Sequence, residues 1–112
     1  LGLKLNDGKQ WKADSITNVN MLKISNQVNS YGRKIRNIGN SDYQKLEADV
    51  NQAINTINSK GQISGEAKKQ LDIILKHMEK EAKVLGAGKK KKAQVALFNL
   101  SELTKAYEDH FE

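Results

Sequence analysis

At 112 residues the chain is long enough for one domain with a single apolar core. It holds no cysteine, which excludes disulfide frameworks, thiolate catalysis and cysteine zinc sites, and no proline, so nothing in it interrupts a helix. With 38% hydrophobic, 5% aromatic and 29% charged residues and a net charge of +6, it reads as a basic all-helical protein, and no apolar run approaches the roughly 20 residues that span a bilayer.

The chain begins with an arm, residues 1–13. Leu1, Leu3 and Leu5 alternate with small or polar residues before a turn at Asn6-Asp7-Gly8, so the arm is expected to run extended and lay its leucines, with Trp11, over a helix groove. The start at Leu1, without an initiator methionine, fits an exported chain after processing, which makes a periplasmic or secreted location the expectation. Asp14 then reads as the N-cap of a first helix over about 15–38. Met21, Ile24, Val28, Tyr31, Ile35 and Ile38 recur at three-four spacing, and Ile16, Val19 and Leu22 widen that stripe.

Gly39-Asn40 breaks this helix, and Ser41 with Gln44 three residues on reads as a capping box opening a second helix over about 42–58. Its stripe is Tyr43, Leu46, Val50, Ile54 and Ile57. The polar, glycine-bearing segment 58–66 is a loop, with Ser64 capping a third helix over about 65–85 that carries Ala67, Leu71, Ile74, Met78, Ala82 and Leu85. Gly86-Ala87-Gly88 ends it by offering left-handed backbone. A fourth helix over about 89–111 carries Ala93, Leu97, Leu100, Thr104, Tyr107 and Phe111. Four amphipathic segments of similar length joined by short turns predict an all-α fold: one domain, an up-down-up-down antiparallel four-helix bundle with a short extended N-terminal arm.

Catalytic and ligand chemistry find little purchase in this pattern. The segment LGAGKKKK lacks the first glycine and the hydroxyl residue of a phosphate loop and follows a helix rather than a strand. Di-iron bundles use Glu-x-x-His pairs, but Ile74 and Tyr107 stand three residues before His77 and His110. His77 and Glu81 lie four apart and share a face, which supplies two ligands of a metal site and no more. No serine is singled out by a histidine and carboxylate in triad spacing. No catalytic, cofactor or metal residues are therefore assigned, and no enzymatic activity is expected.

Charge is distributed unevenly. Folding the chain into an antiparallel bundle brings Arg33, Lys34 and Arg36 at the first corner beside Lys80, Lys83, Lys89, Lys90, Lys91 and Lys92 at the third, forming a candidate anion-binding pole. The other end collects Asp7, Asp14, Glu66, Glu102, Glu108, Asp109 and Glu112, diluted by Lys4, Lys9, Lys12 and Lys60. A charge run is more often a solvated end that keeps a protein soluble. The four lysines of 89–92, however, sit where the helix macrodipole is positive, so stability does not call for them. A basic pole fits an anionic surface or an acidic protein. Tyr31 and Tyr43 near it would be placed to stack on bases, but no recognition motif accompanies them, which keeps nucleic acid a minor option.

The run GKKKKAQVALFNLSELTKAYEDHFE, residues 88–112, resembles without gaps the last helix of the soluble periplasmic b-type cytochromes with a four-helix-bundle fold. The matching positions are Gly88, Lys89, Lys91, Ala93, Gln94, Ala96, Leu100, Ala106 and Tyr107, and Asp72-Ile73 fits the third helix of that family. The resemblance covers about 40 of the residues, and bundle helices converge in composition. It implies the bundle and the periplasm, as does a likeness to small exported bacterial helical-bundle proteins. In that family the residue after the Ala-Tyr pair is the histidine that ligates haem iron, opposite a methionine of the first helix. Here that position is Glu108, so the histidine does not carry over and haem is not inherited with the fold.

The expected function is that of a non-enzymatic exported binding or accessory protein, monomeric or weakly self-associating and without tightly bound cofactor. One alternative is a haem or metal carrier using Met21 with Glu108 or His110. The other is a polyanion binder acting through the basic pole.

Overall fold

The computed structural model describes all residues, 1–112. Helix α1 spans Ser15–Arg33, α2 Asn40–Lys60, α3 Gly65–Leu85 and α4 Lys90–His110, with a 3-10 turn at Ile35–Asn37 between α1 and α2. Each helix packs on its neighbours in sequence, and α1 closes the square against α4, giving an elongated four-helix bundle of 42 × 25 × 20 Å. The long dimension suits helices of 21 residues, each about 31 Å at 1.5 Å per residue.

The core is the set of stripes expected for α2, α3 and α4. Tyr43, Leu46, Val50, Ile54 and Ile57, then Leu71, Ile74, Met78, Ala82 and Leu85, then Ala93, Leu97, Leu100, Thr104, Tyr107 and Phe111 are all buried. Ala67 at the start of α3 is half-buried.

Helix α1 departs from expectation twice. It ends at Arg33 rather than 38: the Lys34 amide donates to Tyr31 O, and the chain tightens into the 3-10 turn. Ile38 still reaches the core, at 3% exposure, from the connection instead of the helix. Ile35 is half-buried. Val19 and Leu22, expected to widen the buried stripe, are 51% and 57% exposed. The inward stripe instead recruits Thr17, Asn20 and Ser25 beside Met21, Ile24 and Val28. Asn20 Nδ2 donates to Ile16 O at 2.9 Å within the helix, so its amide is satisfied locally. Thr17 Oγ1 has no partner.

The caps follow the sequence in part. Asp14 Oδ1 accepts from the Thr17 amide at 2.9 Å, as an N-cap should. The second helix opens two residues early, on Gly39, and Asp42 rather than Gln44 reaches back, its Oδ2 accepting from the Gly39 amide at 3.1 Å. Ser64 occupies the N-cap of α3 without a side-chain bond. The left-handed residue after α3 is Gly88, at φ 83°, whereas Gly86 keeps a negative φ.

The arm folds back over the α3–α4 end of the bundle. Asn6 and Lys9 exchange backbone bonds across the turn, and the Lys4 amide donates to Gln70 Oε1 at 2.8 Å on α3. Trp11 donates its amide to His110 O at 2.8 Å and accepts from the Glu112 amide at 2.9 Å, pairing the arm with the last residues of the chain. Leu3 and Trp11 pack on the core, while Leu1 and Leu5 remain 57% and 42% exposed, so the arm lays down one leucine of its three.

Candidate functional site

The two corners of the expected basic pole do meet. Asn40 Nδ2, at the start of α2, donates to Gly88 O at 3.5 Å, and Glu47 of α2 lies against Gly86. A Cβ on Gly86 would stand 1.8 Å from Glu47 Oε1, so the missing side chain is what lets α2 come this close to the third corner.

All nine candidate cations, Arg33, Lys34, Arg36, Lys80, Lys83 and Lys89 to Lys92, are solvent-exposed. None is in an ion pair: the two pairs in the protein are Lys68 with Asp72, and Lys105 with Glu102 at 3.7 Å. Lys34 lies over the Tyr31 ring, 5.3 Å from its centroid. The set is not uniform, because Lys80 and Lys83 share a groove between α2 and α3 with Glu47 and Glu79. The purely basic part consists of Arg33, Lys34 and Arg36 on one corner and Lys89 to Lys92 on the other.

Helix ends divide these residues further. Arg33 and Lys83 occupy the last turns of α1 and α3, where a cation is favoured by the negative end of the macrodipole. Lys90 to Lys92 occupy the first turn of α4, where it is disfavoured. No side chain caps α4, so the amides of its opening turn stand beside four ammonium groups.

The two tyrosines near the pole differ in access. Tyr43 is wholly buried, its hydroxyl unpartnered, and burial raises its pKa. Tyr31 is half-buried and donates its hydroxyl to Asp42 O at 3.1 Å; burial, then Asp42 and Asp49, raise its pKa. Base stacking at the pole is thereby removed for Tyr43, which proximity in sequence alone could not distinguish from its exposed neighbours.

At the opposite end of the α1–α4 seam, Met21 and Glu108 line one hollow of about 260 Å³ with Tyr107 and Phe111. This places the methionine and the residue after Ala-Tyr together. The donors nonetheless do not fit a haem: the imidazole position carries an exposed carboxylate, and Met21 is 3% exposed in the core. Tyr107 stacks on Phe111 with centroids 4.9 Å apart and bonds Asn18 of α1, closing the seam. His110 turns its Nδ1 to Ala106 O at 2.8 Å, back along its own helix. Elsewhere, Glu81 accepts from Asn99 Nδ2 at 3.2 Å, and no three His, Asp or Glu side chains gather to hold a metal ion.

Compared with protein-family models, with curated proteins and with solved structures, the chain matches none of them. No helix is long and apolar enough to cross a membrane. The fold is a four-helix bundle on its own geometry.

Proposed function

We propose that this chain is a non-catalytic binding module that engages a polyanionic partner through the basic end of the bundle. The observation that carries the reading is the uncapped start of α4. Four lysines stand there at the unfavourable end of a helix, unpaired, beside the arginines of the first corner. Their mutual repulsion and the macrodipole both oppose the placement, so a bound anion is what would repay it.

The test is retention on a heparin column in a salt gradient. Replacing Lys89, Lys90, Lys91 and Lys92 by Gln is expected to move elution to clearly lower salt. A control with Lys4, Lys9, Lys12 and Lys60 replaced by Gln removes the same charge from the other end and is expected to shift elution much less. Equal shifts in the two variants would mean that only net charge matters, and the reading would fall.

A further inference from the structure

Six large apolar side chains are strongly exposed, and the four that belong to helices are Val19 and Leu22 on α1 and Val95 and Phe98 on α4. Helices α2 and α3 have none. Leu22 and Phe98 line the two hollows of the α1–α4 seam, the first with Tyr107 and Glu108 in about 260 Å³, the second with Gly32 and Leu97 in about 470 Å³. Gly32 faces open space, which deepens the second hollow.

The middle of this face is also free of charge. Residues 93–101 of α4 carry no ionisable side chain, and between Ser15 and Gly32 of α1 the one charge, Lys23, lies in the α1–α2 groove with Asp49. Charges flank this centre: Arg33, Lys90 and Lys91 on one side, and on the other the Glu102–Lys105 pair followed by Glu108, Asp109 and Glu112, a net acidic set. An apolar centre depleted of charge within a charged rim is the composition of a protein interface rather than of a solvated surface.

We infer that the α1–α4 face is covered by a second copy of this chain, the two bundles lying antiparallel about a two-fold axis. The charges choose both occupant and orientation. Side-by-side copies pointing the same way would set Lys90, Lys91 and Arg33 of each against their counterparts. Turned end for end, each basic end meets the partner's Glu108, Asp109 and Glu112.

A two-fold passing near Ser101 on α4 sets Lys91 opposite the partner's Glu112 and Phe98 opposite the partner's Lys105. The same operation brings the partner's Leu22 to the height of Phe98, over the hollow that Gly32 leaves open. Such a dimer keeps Lys89, Lys92 and Arg36 at its two outer ends and does not depend on what the basic end binds.

The test is shape-independent mass by light scattering and by sedimentation equilibrium in the analytical ultracentrifuge, on the full chain, from about 1 µM to about 1 mM. The wild type is expected to reach twice the chain mass. Leu22→Glu with Phe98→Glu, at exposed positions, is expected to stay at the monomer mass with unchanged helical circular dichroism. Should that pair disturb folding, the orientation is read from charge alone. Lys91→Glu is expected to weaken the dimer about three- to fivefold, and adding Glu112→Lys to restore it. A wild type that remains monomeric throughout, a dimer indifferent to Leu22 and Phe98, or a dimer strengthened by Lys91→Glu alone would each overturn the inference.

Discussion

At the end of the bundle where the arm lies, side chains and backbone from four parts of the chain are bonded together. Asp14 accepts from Thr17 and from the Gln62 amide of the α2–α3 loop, Trp11 pairs with His110 and Glu112, and Tyr107 donates to Asn18. At the opposite end the two corners share one bond, from Asn40 to Gly88 at 3.5 Å; Asp42 caps α2 and accepts from Tyr31 within the first corner, and the cations are turned to solvent. The contrast teaches where polar side chains hold the loops and where they do not. One end spends its polar side chains on holding the loops, and the other keeps its cations free.

The largest expected effect lies at the bonded end. Asp14→Ala removes both the cap of α1 and the anchor of the α2–α3 loop, and is expected to lower unfolding free energy in urea by about 2 kcal/mol. Burial pushes the Asp14 carboxyl up, but the hydrogen bonds from Thr17 and Gln62 outweigh it and hold the group below its ordinary value. A carboxylate with a depressed folded pKa stabilises fully above the unfolded value of about 3.9, and that contribution is lost as pH falls through the folded value. The difference between wild type and Asp14→Ala should therefore be flat near neutrality and shrink in acid below about pH 4. A difference that grew on acidification would show that Asp14 is not the ionised anchor.

A pair of tyrosines divides the two ends at smaller magnitude. Tyr107 donates its hydroxyl to Asn18, and burial, reinforced by Asp14, raises its pKa strongly. Tyr43 buries a hydroxyl with no partner. Tyr107→Phe is expected to cost about 1 kcal/mol, whereas Tyr43→Phe removes an unsatisfied group and should be neutral or stabilising by a similar amount. Thermal unfolding of the two variants gives the comparison, and equal destabilisation would mean that the two ends do not differ in this respect.

What could be read from the sequence follows the same division of labour. Helices α2, α3 and α4 announced their buried faces because their inward positions are almost all apolar and recur at three-four spacing. In α1 the inward positions include Thr17, Asn20 and Ser25, so apolar spacing pulled the expected stripe toward Val19 and Leu22. Its end was misplaced because Ile35 and Ile38, three apart, fit the 3-10 turn as well as a continuing helix. The basic end was legible since charges in a short-looped antiparallel bundle must meet at alternate corners. The burial of Tyr43 beside that end, and the sharing of one groove by Lys80, Lys83, Glu47 and Glu79, depend on helix rotation. Rotation is set by packing, and a stripe fixes it only to within a residue or two.

The smallest effect is the one that tests whether the basic end is arranged for stability at all. Arg33, in the last turn of α1, is favoured there by the macrodipole, so Arg33→Gln is expected to lower stability by a few tenths of a kcal/mol. Lys89 to Lys92 stand at the positive start of α4 and repel one another, so their joint replacement by Gln is expected to raise stability by about 1 kcal/mol, and less as salt is added. Opposite signs from cations a corner apart would mean that the lysines are kept against the interest of the fold. If both replacements destabilise, the four lysines belong to the scaffold, and their placement no longer argues for a bound anion.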